Sequence, residues 1–310
     1  MADWLADRIA ERARPSDGLS EKAIQEMRQA PRVAVDDVFE FYFAGTDKEF
    51  WGMNDFPFLL PPFDAVWIES RTRPTAVVSR VHGQVDAHRL PTAVSVLVRR
   101  FTIGKDRRNT ISKEWADVQT VFVEGSEHVI LLMAFAEYGF TRQLYVGSRA
   151  VVVDHLGHHL PQGDDVTFVS VSDEFARESP MEARVGYLDG TLIQPAMLAL
   201  SFLNVRNART DEVQVDRSYK KREMRHGRAT SRYYVLTIDV LRRAVDMRAN
   251  ESGLSIQRAL HICRGHFATY GDDHPLFGKY TGKYWIPAHI RGSAGKGVVI
   301  KDYELRAVKS

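Results

Sequence analysis

The chain has 310 residues, an apolar fraction of 44%, a charged fraction of 26% and a net charge of +2 at pH 7. These values are typical of a soluble globular protein with one large or two ordinary domains, and they exclude a uniformly cationic surface. The single cysteine, Cys263, excludes an internal disulfide and a zinc site built on several thiolates. The longest apolar stretch, around residues 129–136, is far shorter than the roughly 20 residues that span a bilayer. The first residues carry acids and no secretory signal, so we expect a cytoplasmic protein outside the membrane.

The first 55 residues have a helical pattern. Apolar residues recur at helical spacing over residues 2–30, with a break at residues 16–20, which predicts two helices. Residues 38–44 predict a third, short helix. The following run, residues 56–63, cannot be a regular helix, because its prolines remove backbone donors and fix φ. We expect this run to form an extended apolar strap that packs beneath a sheet.

The region from residue 56 to residue 173 is predicted to be rich in strands. Its apolar runs follow one another without long helical crossovers, so the pairing should be mostly antiparallel. The candidate strands are residues 65–70, 76–82, 93–101, 117–124, 128–136, 143–153 and 166–171.

Three histidines, His155, His158 and His159, surround Gly157 in this region. A metal site is one interpretation. A solvated turn is favoured, because Asp154 is the only carboxylate nearby.

The C-terminal region, residues 185–310, follows a polar boundary segment at residues 174–185. Pro195 fits the first turn of a buried helix that ends near residue 205. Four strands are predicted after it, at residues 233–240, 259–270, 282–292 and 297–306. The predicted fold class is therefore α+β, with N-terminal helices, a mostly antiparallel β-sheet core, and a C-terminal helix plus four-stranded antiparallel sheet. The regions 1–55, 56–173 and 185–310 are the predicted domains, and they could also form one continuous domain.

A basic run at residues 217–232 contains seven Lys or Arg and one acid, Glu223. A solvated connector and a contact with a phosphate backbone explain this run equally well. The contact would be favourable because each cation that reaches a phosphate releases counterions from the nucleic acid. The candidate ligand-binding residues here are Lys220, Lys221, Arg222 and Arg225.

The segment from residue 259 to residue 292 contains four of the eleven histidines, together with cations and aromatic residues. No acid occurs between Asp273 and Asp302. Strand alternation predicts one polar face that carries Lys283, Trp285, His289 and Arg291. A bulge at Gly265 would bring His261 and His266 to the same face.

This face has the residue types of a metal-independent ribonuclease. His266 and His289 could act as general acid and base, and Lys283 and Arg291 could stabilise a pentacoordinate phosphate. The candidate ligand-binding residues around them are His261, Arg264, Tyr270, Lys279 and Trp285, the aromatic ones as stacking platforms for bases.

Metal and cofactor sites are not predicted. His261 and His266 lie about 15 Å apart along a strand, too far to share one ion. No HExxH, Walker-type, GxGxxG or GxSxG motif occurs in the sequence.

Three functions stay open, and nucleic-acid or phosphate-ligand binding by this face and the basic run is ranked first. Metal-independent phosphodiester cleavage is the alternative, so the sequence leaves open whether the protein is an enzyme. A structural or protein-interaction component is the third.

The last third of the chain resembles a group of uncharacterised proteins found in phages, prophages and actinobacterial genomes. The stretches that carry the resemblance are residues 200–207, the basic run before residues 233–236, His-Ile-Cys-Arg-Gly-His-Phe at 261–267, Tyr-Trp-Ile-Pro-Ala-His-Ile-Arg-Gly at 284–292, and Lys-Asp-Tyr at 301–303. The resemblance implies a phage or mobile-element setting and no mechanism. The predicted helix-plus-sheet tail is also similar in outline to small toxin ribonucleases of the barnase and RelE kind, an analogy of fold alone.

Overall fold

The structure of the protein is a computed structural model. It describes residues 21–44, 55–70, 91–103, 124–138, 145–160, 166–169, 188–212, 221, 225, 233–238, 259–263, 265–286, 289–291 and 293–298. The predicted first helix, the strand predicted at residues 76–82, nearly all of the strand predicted at 117–124, and Lys220, Arg222 and Arg264 lie outside the described residues.

Contacts divide the chain into two compact units. The large unit comprises Met1–Gly45, Gly52–Asn204 and Ala208–Thr237, and the small unit comprises Thr46–Trp51, Val205–Asn207 and Ile238–Ser310. This division differs from the predicted ranges, because the helix and the first strands after residue 185 belong to the large unit.

The large unit is built on an eight-stranded sheet. Its elements are α1 (Glu21–Gln29), β1 (Arg32–Ala34), α2 (Asp36–Ala44), β2 (Ala65–Ser70), β3 (Pro91–Thr102), β4 (His128–Tyr138), β5 (Tyr145–Val153), β6 (Val166–Val169), a π-helical turn (Leu188–Ile193), α3 (Gln194–Leu203), β7 (Ala208–Glu212) and β8 (Tyr233–Ile238). The strand order is β6-β5-β4-β3-β2-β1-β8-β7. Strands β2 to β6 pair antiparallel, whereas β1 pairs parallel with both β2 and β8.

The small unit contains β9 (Ala259–Cys263), β10 (His266–Tyr270), β11 (Gly282–Ile286), β12 (His289–Arg291) and β13 (Ser293–Val298). Strands β10 and β11 form an antiparallel hairpin. Strand β9 pairs antiparallel with β12 and parallel with β13 in a separate sheet.

The predicted α+β fold class is wrong. The described residues are mainly strands in a mixed sheet with few helices, and no four-stranded antiparallel sheet follows α3 among them. The strand predicted at residues 233–240 joins the large sheet as β8, and the strand predicted at 259–270 is two strands, which break at Gly265 instead of bulging there. Parallel pairing at β1 was missed, because three residues are too short for alternation to show.

The core of the large unit lies on both faces of the sheet. On one face, Ile24 and Met27 of α1 pack into a cluster with Trp67, Leu97 and Phe135. Strand alternation brings these positions of β2, β3 and β4 together, because the register pairs Trp67 with Leu97. Burial of each such side chain contributes roughly 1.5–3 kcal/mol. Helix α3 is buried along most of its length, as its sequence predicts.

The strap at residues 56–63 contains no helix, as its prolines predict, and the side chains of Phe56, Phe58 and Leu59 are buried. The Leu59 N–H donates to the Gly157 carbonyl at 2.9 Å. The Asn204 amide, just past α3, donates to the Leu60 carbonyl at 2.8 Å. These bonds satisfy backbone groups that prolines prevent from pairing in a helix or sheet.

The predicted histidine turn is a hydrogen-bonded turn around Asp154. Its carboxylate accepts from the N–H groups of Leu156 at 2.8 Å and His158 at 2.9 Å, and pairs with His158 Nδ1 at 3.1 Å. Burial raises the pKa of Asp154, but the hydrogen bonds from His158 and Leu156 outweigh it and lower the pKa below 3.8. Within the described ranges, no group of three or more His, Cys, Asp or Glu is placed to hold a metal ion.

Among the described residues, no helix is both long enough and apolar enough to cross a membrane.

Candidate phosphate-binding surface

The β10–β11 hairpin has two different faces. The register pairs His266 with Ile286 and Ala268 with Tyr284 on one face, and Thr269 with Lys283 on the other. Ala268 packs with Tyr284 and Ile286 in a small apolar cluster. His266 and Lys283 therefore lie on opposite faces of the hairpin, which differs from the predicted shared polar face.

The loop between the two strands is anchored by Leu276. The Leu276 N–H donates to the Tyr280 carbonyl at 2.7 Å, and the Tyr280 N–H donates back at 3.0 Å. The Leu276 side chain is buried in the apolar cluster. Phe277 and Gly278 close this tight turn with φ of 55° and 69°, in the left-handed region that few non-glycine residues adopt. The turn leaves Lys279 and Tyr280 exposed at its end.

Lys279 and Tyr280 contact each other. The Lys279 Nζ lies 5.3 Å from the centroid of the Tyr280 ring, within the range of a cation–π interaction. Tyr280 is 46% exposed. A cation and an aromatic ring thus stand side by side at the loop.

Arg206 and Asn207 form hydrogen bonds with strand β11. The Arg206 N–H donates to the Lys283 carbonyl at 2.9 Å. The Asn207 amide pairs with both backbone groups of Trp285, accepting from its N–H at 2.9 Å and donating to its carbonyl at 2.8 Å. The side chain of Asn207 therefore completes the strand edge in place of a backbone, and it fixes Arg206 beside the hairpin.

Gly282 makes room for the Arg206 side chain. A Cβ atom on Gly282 would lie 2.6 Å from Arg206 Nε, closer than such atoms approach, and 3.1 Å from Cζ, so the Arg206 side chain would have to move. Gly282 also has φ of 113°, which L-residues rarely adopt. The guanidinium lies against the backbone at Gly282. This glycine follows Tyr280 by two residues, and the chain between them spans about 7 Å at roughly 3.3 Å per residue.

The charged side chains near Gly282 and the hairpin loop favour the binding of an anion. Arg206 and Lys279 are exposed, and within the described part of the chain no carboxylate forms an ion pair with either of them. Asp272 and Asp273 are the only acids among the described residues of the small unit. We call Arg206, Lys279 and Tyr280 the loop surface. The guanidinium of Arg206 can bind a phosphate through two parallel hydrogen bonds, and the ammonium of Lys279 can attract a phosphate as a point charge.

Of the predicted site residues on the hairpin, His266 and Lys279 are exposed and Lys283 is half-buried. Two predicted stacking residues have other roles. Trp285 is 4% exposed and its ring lies 4.7 Å from that of Phe267, while the ring of Tyr270 lies against Tyr284 in the apolar cluster. Trp285 is therefore too buried to stack on a base, and part of the Tyr270 ring is taken up by the contact with Tyr284.

The other predicted residues fall on a different ladder. His289 is paired with Cys263, and Arg291 with His261, between β12 and β9. The predicted general acid and base, His266 and His289, therefore belong to two separate sheets. In the basic run, Lys221 and Arg225 are exposed.

Arg206 and Asn207 were missed as site residues. Their segment precedes β11 by about 75 residues in the sequence, and its Asn-Val-Arg-Asn pattern carries no known chemistry. Tyr280 could have been selected by its position next to Lys279 in a glycine-flanked loop.

No family model matches the chain, and no curated protein matches it. A solved structure described as the crystal structure of AcrVA2 is similar at 13% sequence identity and a TM-score of 0.31, over 92% of this chain and 82% of that chain. A likeness at this level carries no argument about the fold or the function of this protein.

Proposed function

We propose that this protein binds nucleic acid or another phosphate-bearing ligand through the loop surface of the small unit. The observation that supports this most strongly is the position of Arg206, an exposed residue whose backbone is bonded to β11, beside the bonds of Asn207, and whose side chain lies next to Gly282. Arginine forms bidentate hydrogen bonds with phosphate.

Lys279 supplies a second cation near the same point. The basic run, with Lys221 and Arg225 exposed, is proposed as an additional contact for the ligand's backbone. A phage or mobile-element setting and a cytoplasmic location belong to this proposal as well.

The ribonuclease alternative receives less support. His266 and His289 pair in separate ladders, and His266 lies opposite Ile286 on an apolar part of the hairpin. A general acid and a general base must both reach the reacting phosphate.

Binding is tested with labelled single-stranded RNA and DNA in the presence of a chelator, using the intact protein. We expect Arg206→Ala and Lys279→Ala each to weaken binding, whereas Arg28→Ala, which removes an exposed cation of α1 in the large unit, leaves the affinity unchanged. Equal affinity in all four proteins would contradict the proposal. Cleaved product that disappears in His266→Ala would establish the enzyme instead.

A further inference from the structure

We infer that the ligand of the loop surface is single-stranded nucleic acid, with Tyr280 as the platform on which an unpaired base stacks. This inference rests on the proposed function and specifies its ligand. It starts from the exposure of the aromatic rings of the small unit. Trp285 and Tyr284 are buried, at 4% and 7% exposure, whereas Tyr280 is 46% exposed.

The Tyr280 ring is presented by a fixed turn. Its backbone makes two hydrogen bonds with Leu276, whose side chain is anchored in the apolar cluster. Phe277 is held at φ of 55° inside that turn. Such a conformation costs about 1–3 kcal/mol, is retained only where the surroundings enforce it, and is enriched at functional sites. A ring held in this way needs little ordering before a base stacks on it.

The cations beside the ring match the rest of a nucleotide. Lys279 Nζ lies 5.3 Å from the centroid of the Tyr280 ring, and the Arg206 guanidinium lies over Gly282, two residues further along the chain. A base on Tyr280 would thus have a cation for each neighbouring phosphate. Stacking platforms flanked by cations are how proteins bind single strands without reading the sequence.

A duplex does not fit this arrangement. Each base in a duplex is already stacked on both faces, so the exposed ring of Tyr280 would gain nothing unless a base were unstacked. Free phosphate or a polyphosphate would use Arg206 and Lys279 and leave the ring unused. The three classes of ligand therefore differ in their dependence on Tyr280.

The test compares Tyr280→Leu and Tyr280→Phe with the unmodified protein on three labelled DNAs: a single strand, an abasic strand of the same length, and a duplex. Stacking on one ring is worth a factor of roughly 5 to 150 in affinity. We expect Tyr280→Leu to weaken single-strand binding by such a factor and to weaken abasic-strand and duplex binding much less, since the loss of the Lys279 contact affects all three DNAs alike. Tyr280→Phe keeps the ring and should bind as the unmodified protein does. Thermal unfolding confirms that each variant is folded.

If Arg206→Ala still abolishes abasic-strand binding, the proposed function holds, and two results would then overturn only the inference about Tyr280. One is single-strand binding that is unaffected by Tyr280→Leu, and the other is an equal loss on the abasic strand. Failure of the unmodified protein to bind the abasic strand, with no effect of Arg206→Ala on any DNA, would instead overturn the proposed function and this inference with it.

Discussion

The loop surface depends on Gly282 at the level of single residues. This glycine combines a φ of 113° with a contact that leaves no space for a Cβ atom beneath Arg206. The Arg206 side chain can therefore lie next to Gly282 because this residue has no Cβ atom, and the bonds of residues 206 and 207 to β11 fix the Arg206 backbone beside the hairpin.

Substitution of Gly282 by Ala should displace Arg206 and strain the hairpin. We expect a loss of roughly 1–3 kcal/mol in the free energy of unfolding, together with weaker binding of phosphate-bearing ligands. Urea unfolding followed by tryptophan fluorescence and a binding titration measure the two effects. Gly278→Ala is the matched control, because Gly278 also has a positive φ, 69°, whereas a Cβ atom there meets nothing within 4 Å. Equal losses in both variants would show that the contact with Arg206 has no role.

The Asp154 turn makes a prediction about pH. Because the folded state holds the pKa of Asp154 below 3.8, the unfolded chain takes up a proton first as the pH falls. The carboxylate thus stabilises the fold above about pH 3.8, and this contribution disappears as the pH falls through the folded-state pKa. The difference in unfolding free energy between the unmodified protein and Asp154→Asn, measured between about pH 6 and about pH 3, should narrow toward the acidic end. A constant difference across this range would contradict the prediction.

At the scale of elements, the strap is positioned by Gly157. A Cβ atom on Gly157 would lie 2.8 Å from Leu60 Cγ and 2.9 Å from Leu60 N, so the turn and the strap fit only when residue 157 is glycine. The bond from the Leu59 N–H to the Gly157 carbonyl requires the same close approach.

Gly157→Ala should destabilise the large unit more than Gly125→Ala does. Both glycines have similar φ, 86° and 84°, so the cost of placing an L-residue there, about 1–2 kcal/mol, is shared. Only Gly157 adds a collision, which costs typically 1–3 kcal/mol, since a Cβ atom at Gly125 meets nothing within 4 Å. Urea unfolding of the two variants measures the difference. Equal destabilisation would mean that the strap moves aside without cost.

Several elements could be predicted because their signals are local. Strand β2 has the predicted bounds, and α3 lies within its predicted range, since proline placement and apolar runs mark both. The strap followed from its prolines. The same alternation that predicts a polar face at Lys283 puts Tyr284 and Ile286 on the opposite face, where they lie in an apolar cluster.

The pairing of distant strands could not be predicted in this way. Residues 233–238 have the composition of a strand wherever they pair, and nothing local indicates that β8 lies parallel to β1. Likewise, alternation put Trp285 on a polar face, because the sequence does not show that Phe267 covers it. Arg206 reaches the candidate site from a segment remote in sequence, which no spacing pattern could reveal.

At the scale of the whole molecule, binding must come from local asymmetry of charge. A net charge of +2 gives little long-range attraction, so the affinity for a polyanion depends on the few cations that reach its phosphates. Each of these contacts releases counterions from a single strand, which makes the logarithm of the binding constant fall with the logarithm of the salt concentration by about 0.7 per phosphate.

The salt dependence of single-strand binding tests the central claim most directly. The binding constant is measured for the unmodified protein, Arg206→Ala and Arg28→Ala between about 50 mM and about 200 mM salt. If Arg206 contacts a phosphate, Arg206→Ala lowers the affinity and reduces the slope by about 0.7, whereas Arg28→Ala changes neither. An Arg206→Ala protein with the same slope and affinity as the unmodified protein would show that the loop surface is not where phosphate binds.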